Sequence, residues 1–208
     1  GVMSHMNEFL PVKVERVGSD ANKCAVNLLN ALASGWLPPS SITQTEFDNL
    51  KRTQNQGTPM HGVVGFGACY NGLYFADKFR LDKTPKVYND TYKQLVRWAP
   101  RTKNITFKCA RYQDLPALPH TTLIYADPPY LSAKSTNMPL LWRTFEFDAF
   151  WQWVRDQSLK HIVFVSEYEA PDDFVIIWER DIKLLNRGDK STRRERLYVH
   201  HTVVPRLR

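Results

Sequence analysis

One short stretch fixes more of this chain's architecture than any other: Thr122 to Ala126 (TLIYA), followed at once by Asp127-Pro128-Pro129-Tyr130. The first five residues are almost wholly apolar, the pattern of a strand buried on both faces of a parallel sheet. The two prolines then forbid any continuation, because each lacks a backbone N–H and has φ locked. A carboxylate, rigid carbonyls and an aromatic ring are thereby set at the end of a strand. A second apolar run, His161 to Ser166 (HIVFVS), reads as another buried strand, and Phe147 to Ser158 between them as an aromatic-rich helix. Strand, helix, strand in that order indicates an open α/β sheet, whose ligands sit outside the carboxyl ends of its strands.

The remaining pattern extends this plan. Val12 to Val17 alternates as a strand and ends in Gly18-Ser19-Asp20. A helix is predicted over Lys23 to Ser34, with Val26, Leu28, Leu29 and Leu32 on its apolar face, stopped by Gly35 and Pro38-Pro39. Another runs from about Thr43 to Arg52. Residues 53 to 86 carry five glycines and no clean period, which predicts an irregular lobe. Tyr88 to Ala99 reads as a helix ended by Pro100, and Ile105 to Cys109 as a strand. Phe174 to Trp178, Ile182 to Leu185 and Arg196 to His201 predict a strand-rich, antiparallel C-terminal third.

Composition excludes several classes. The 208 residues suffice for one well-cored domain with a sub-lobe, and no apolar run reaches the ~18 residues of a membrane span. Residues 1 to 6 carry neither the basic nor the apolar region of a signal peptide, and Ser4-His5-Met6 resembles a vector remnant. Three scattered cysteines, never in a CxxC pair, argue against a disulfide framework or a structural zinc and fit a reducing cytoplasm. The histidines show no metal-ligand spacing, so no metal is expected. The formal charge of +7 makes a polyanion the leading partner.

Three acids fall at or just past predicted strand ends: Asp20, Asp114 and Asp127. Asp20 directly precedes a helix, so it reads either as an N-cap or as an acceptor for ribose hydroxyls. Asp127 to Tyr130 suits a planar amine: the carboxylate and the Pro128 carbonyl accept its two N–H bonds, and Tyr130 stacks on the ring. The plain alternative is a surface turn, since Asp-Pro and Pro-Pro are common in loops. A turn, however, requires neither the aromatic ring nor the placement after a buried strand. The Arg187 to Arg196 segment reads as a solvated hairpin or as a loop grasping DNA phosphates. Ser166-Glu167 lacks the GxSxG surroundings of a nucleophile elbow, and the aromatics of residues 145 to 153 have core spacing.

Asp127-Pro128-Pro129-Tyr130, with Leu123 to Ala126 ahead of it, resembles the catalytic motif of amino-group DNA methyltransferases. Gly18-Ser19-Asp20-Ala21-Asn22 is similar to the acidic cofactor motif of the Dam-like adenine methylases, and Gly65 to Leu73 (GFGACYNGL) to their glycine-aromatic segment. Phe150 to Trp153, Phe164 to Tyr168 with Ala170-Pro171, and Glu195-Arg196-Leu197 resemble downstream blocks of compact phage-type members. The resemblance implies a Rossmann-like S-adenosylmethionine-dependent methyltransferase sheet with antiparallel C-terminal strands. It implies methylation of adenine N6 in double-stranded DNA, on a base turned out of the duplex, in a bacterial cytoplasm and in a phage or restriction-modification setting.

On the same resemblance Asp20, Ala21, Asp114 and Asp127 bind S-adenosylmethionine, and Asp127, Pro128, Pro129 and Tyr130 hold the amine and base. Tyr70, Asn71, Lys78, Arg80, Lys83, Lys190, Arg193 and Arg194 contact DNA. Residues 1–35 and 87–208 form the catalytic domain, and 36–86 an inserted target-recognition lobe. The family's basic glycine motif and Phe-x-Gly-x-Gly loop have no counterpart here; Gly1 to Met6 resembles only the tail of that loop. Two other functions therefore stand beside the first: a cofactor-deficient fragment that binds DNA, and an amino methyltransferase acting on cytosine N4 or RNA. Serine usually replaces the Asp in cytosine N4 enzymes, which disfavours the latter.

Overall fold

The computed structural model describes residues 14–69, 74–75, 85–119, 122–130, 144–183 and 192–207, with only the backbone given for 55, 85, 182 and 183. The chain divides into two compact units, residues 1–115 and 116–208.

The first unit opens with β1 (Val17–Asp20), followed by α1 (Lys23–Ala33), α2 (Gln44–Arg52), α3 (Pro59–Gly67), α4 (Pro85–Thr102) and β2 (Thr106–Cys109). Strands β1 and β2 run parallel, with Val17 opposite Thr106 and Asp20 opposite Cys109. The strand lies later than the alternation of residues 12 to 17 suggests, because residues 14 to 16 are already irregular. Helix α1 serves two cores. Leu28 and Leu32 join Phe47, Val63, Val64, Tyr88, Leu95 and Ala99 from the other helices, whereas Val26 meets Ile105 and Phe107 near the sheet. Asn30 ties the second contact, its side-chain amide donating to the Phe107 carbonyl (3.0 Å) and accepting from the Phe107 N–H (3.3 Å).

Within residues 53 to 86, helix α3 corrects the irregular reading for residues 59 to 67; residues 70–73 and 76–84 lie outside the described residues. Glycine costs about 1 kcal/mol against alanine inside a helix, so Gly62 and Gly65 hide it from a propensity argument. Close packing explains them. A Cβ on Gly62 would lie 2.8 Å from the Leu28 side chain and 2.5 Å from the Cys24 carbonyl oxygen, and one on Gly65 would enter the Tyr74 ring. Helix α4 is likewise longer than expected, with Pro100 inside its last turn. There the proline ends the ladder without ending the coil, since a missing N–H removes one bond only.

The second unit contains β3 (Leu123–Ala126), α5 (Phe147–Ser158), β4 (Ile162–Glu167), β5 (Phe174–Lys183) and β6 (Thr192–His200), in sheet order β3-β4-β6-β5. β3 and β4 are parallel, and β6 runs antiparallel to both β4 and β5. The parallel pair with an antiparallel flank matches the mixed α/β class expected. β3, however, is not wholly buried: Leu123 is 48% exposed, and among the described residues the strand is the edge of its sheet. β5 is one strand bent by a register irregularity between Ile176 and Trp178, where the sequence suggests two. Phe150, Trp151 and Val154 of α5 are buried with Val163, Val165, Phe174 and Val199 of the sheet. No helix among the described residues is long and apolar enough to cross a membrane.

Candidate active site

The DPPY segment sits where its sequence places it, directly after β3. Pro128 is buried and anchors the segment, Pro129 and Tyr130 are half-buried, and the Asp127 side chain reaches solvent. Asp127 makes no hydrogen bond with any described residue. Surrounding protein, and secondly the Glu195 carboxylate, push its pKa above the ordinary 3.8.

Tyr130 is held at two points. Its hydroxyl donates to Glu195 Oε1 (3.1 Å), and its ring lies against that of Tyr168, with centroids 4.5 Å apart at 34°. Ser166, near the end of β4, donates to the same Glu195 oxygen (3.3 Å). Burial first, then the charges of Asp127 and Glu195, hold the Tyr130 phenol far above its ordinary range, so it is a neutral donor. Burial likewise raises Tyr125, at the end of β3, with Asp127 and Glu195 adding to it.

Behind Tyr168 the surface turns basic. The Arg193 guanidinium lies over the Tyr168 ring, 5.4 Å from its centroid, and Arg196 donates to the Tyr168 carbonyl (2.8 Å). These residues, with Glu169 and Arg194, line a cleft of about 290 Å³. Arg194 is engaged by Asp181 (2.8 Å) and Glu179 (3.4 Å). Arg193, Arg194 and Arg196 all lie on strand β6, not in a loop.

In the first unit, Asp20 ends β1 and its Oδ1 accepts the N–H of Asn22 at 2.6 Å. The N-cap of α1 is Asn22, which accepts from Cys24 and Ala25, so Asp20 is not the cap. Its Oδ2 has no partner among the described residues. The protein around Asp20 pushes its pKa up, and the Asn22 N–H opposes this in part. Ala21 follows in the same turn, its carbonyl near Cys109 Sγ (3.8 Å). Asp114 closes a short 3-10 turn beyond β2 and is exposed. Asp20 and Asp114 thus share one unit, outside the carboxyl ends of β1 and β2.

Tyr70, Asn71, Lys78, Arg80, Lys83 and Lys190 lie outside the described residues. Among the described residues no group of three or more His, Cys, Asp and Glu side chains could hold a metal ion. The sequence reading missed Glu195 as a site residue. Its signal is the strand period of two: Arg194 and Arg196 reach the acids of β5, and Glu195 between them points elsewhere.

Residues 68–187 match the family described as D12 class N6 adenine-specific DNA methyltransferase. The chain belongs to that family. Its class of activity is therefore methylation of adenine in DNA, and the matched span contains β3, the DPPY segment, α5, β4 and β5. No curated protein matches the chain significantly.

Proposed function

We propose that this methyltransferase transfers the methyl group of S-adenosylmethionine to N6 of an adenine turned out of double-stranded DNA. The observation that carries the reading is Asp127: a carboxylate at a strand end, with no hydrogen bond to any described residue, beside two prolines and a fixed tyrosine ring. When bound, S-adenosylmethionine supplies an electrophilic methyl group on a sulfonium sulfur. The acceptor set fits that group's hydroxylated part: Asp20 has one oxygen held by its own turn and the other open to a ribose diol. Ala21 and Asp114 flank the same strand ends and line this binding region in the proposal.

The chain's own residues then act on the base. Asp127 accepts one N–H of the exocyclic amine and the Pro128 carbonyl the other, which orients the nitrogen lone pair and draws electron density onto it. As positive charge grows on that nitrogen, the Asp127 carboxylate lowers its energy and holds the departing proton at its oxygen. Tyr130 gives the base a stacking surface that offsets part of the stacking lost from the duplex. Arg193 and Arg194, with Lys190, serve the DNA phosphates, and Lys78, Arg80 and Lys83 do the same from the 36–86 lobe, where Tyr70 and Asn71 lie close to the target bases. No metal is required by this scheme.

The test is incubation with unmethylated plasmid and labelled S-adenosylmethionine, followed by digestion to nucleosides. Label in N6-methyladenine supports the proposal. Label in N4-methylcytosine, or salt-sensitive DNA binding with no transfer at all, overturns it in favour of the two other functions.

A further inference from the structure

We propose that Glu195 is a positioning residue of this active site, setting Tyr130 for the base through a direct hydrogen bond to its hydroxyl. The proposal rests on the reading of Asp127 to Tyr130 given above. Three observations carry it.

Glu195 lies on β6 among Arg193, Arg194 and Arg196, and Arg194 and Arg196 pair with Glu179 or Asp181 of β5. A carboxylate kept only to balance charge on such a strand would take one of these guanidinium groups. Glu195 takes none; its Oε1 accepts from two neutral hydroxyls, those of Tyr130 (3.1 Å) and Ser166 (3.3 Å). Secondly, these two hydroxyls come from the carboxyl ends of β3 and β4, where the ligand site of an open α/β sheet lies. Thirdly, Tyr168 covers one face of the Tyr130 ring, and among the described residues no other ring meets Tyr130. The hydroxyl bond fixes the tip of the ring and Tyr168 fixes its plane. The proposal places the planar base on the other face, against which no described ring lies. The arrangement places a second carboxylate beside Asp127, a repulsion that a purely structural contact would have no reason to retain.

The experiment combines kinetics with a measurement that needs no ligand. Wild type, Glu195→Ala, Glu195→Gln, Tyr130→Phe and the Glu195→Ala/Tyr130→Phe double variant are assayed for methyl transfer to unmethylated plasmid. Glu195→Ala is expected to lower kcat about 10- to 100-fold with KM for DNA little changed, the size of a mispositioned reacting group. Glu195→Gln, which keeps an acceptor oxygen, recovers most of that loss. The double variant is expected to be no worse than Glu195→Ala, because both changes break one bond. In parallel, tyrosine labelled with carbon-13 at Cζ reports the hydrogen bond in the free protein, the Tyr130 signal being assigned by its loss in Tyr130→Phe. That signal shifts in Glu195→Ala and partly returns in Glu195→Gln.

An unmoved Tyr130 signal in a folded Glu195→Ala protein overturns the proposal, as do multiplicative kinetic losses in the double variant. If wild type transfers nothing, the functional reading fails, while the carbon-13 shift still decides whether Glu195 holds Tyr130. If Glu195→Ala does not fold, Ser166→Ala and Tyr130→Phe replace it: each removes one of the two donors on Oε1. The Tyr130 signal must then shift in Ser166→Ala, since the shared acceptor is freed; no shift counts against the proposal.

Discussion

Asp173 is the most sharply testable support of the sheet that carries the site. It begins the turn into β5 and receives both Nε (2.6 Å) and an Nη (2.9 Å) of Arg155 on α5, a bidentate pair. The buried His200 at the end of β6 places Nε2 3.2 Å from the same carboxylate, and the His201 N–H donates to the Asp173 carbonyl at 3.1 Å. One residue therefore joins the helix, the start of β5 and the end of β6. The Arg155 hydrogen bonds hold its pKa at about 2, against an ordinary 3.8. At about 1.36 kcal/mol per pKa unit that span sets a ceiling of about 2.5 kcal/mol.

Both side chains are about 30% exposed, so solvent screening reduces the expected value to about 1–2 kcal/mol. Because the folded pKa is depressed, this stability is complete above pH ~5, about one unit above the ordinary 3.8, and is lost as pH falls through about 2. Asp173→Asn keeps the volume and removes the charge. Urea unfolding followed by tryptophan fluorescence reads this unit well, since Trp151 lies 4.6 Å from Phe174. At pH 7 the variant is expected to unfold earlier by an amount equivalent to about 1–2 kcal/mol, with the gap closing between pH 5 and pH 2. Identical midpoints at pH 7, or a gap that persists unchanged at pH 2.5, would refute the reasoning.

Three further outcomes are expected. Methyl transfer needs Asp127 ionised, and burial with Glu195 raises its pKa, so kcat/KM falls on the acid side at a pH above that of an ordinary carboxylate. In Glu195→Gln this acid limb moves to lower pH; a limb that stays put contradicts the coupling. Gly65→Ala drives a Cβ into the Tyr74 ring and to 2.9 Å from Phe75, and overpacking of about 1–3 kcal/mol exceeds the helix-propensity gain of ~1 kcal/mol. Calorimetry should show a lower Tm; a rise would mean that the glycine is not required by packing. Arg193→Ala should reduce the salt dependence of DNA binding by about one counterion; an unchanged slope would mean that Arg193 meets no phosphate.

What the sequence made legible was local chemistry. The prolines after β3 and the aromatic spacing of α5 each act within a few residues, and each element formed where they place it. What it concealed depends on partners distant in sequence. Helix α3 is stabilised by fitting its glycines against Cys24, Leu28, Tyr74 and Thr91, none of which a window of residues 59 to 67 contains. The edge position of β3 among the described residues is likewise a property of the whole sheet, not of its own apolar residues. Glu195 was hidden among arginines because an acid in a basic run reads as an ion-pair partner. Only the observed hydroxyl contacts, 65 residues away at Tyr130 and 29 away at Ser166, reveal a different role.

The most direct measurement is nucleoside mass spectrometry of unmethylated plasmid after reaction with S-adenosylmethionine and either wild type or Asp127→Ala. The account predicts N6-methyladenine with wild type and a loss of at least ~100-fold in its rate with the variant, at unchanged folding, as expected when a pre-placed charge is removed from a reacting centre. Equal N6-methyladenine from both proteins would contradict it, because Asp127 would then not be the group that holds the amine.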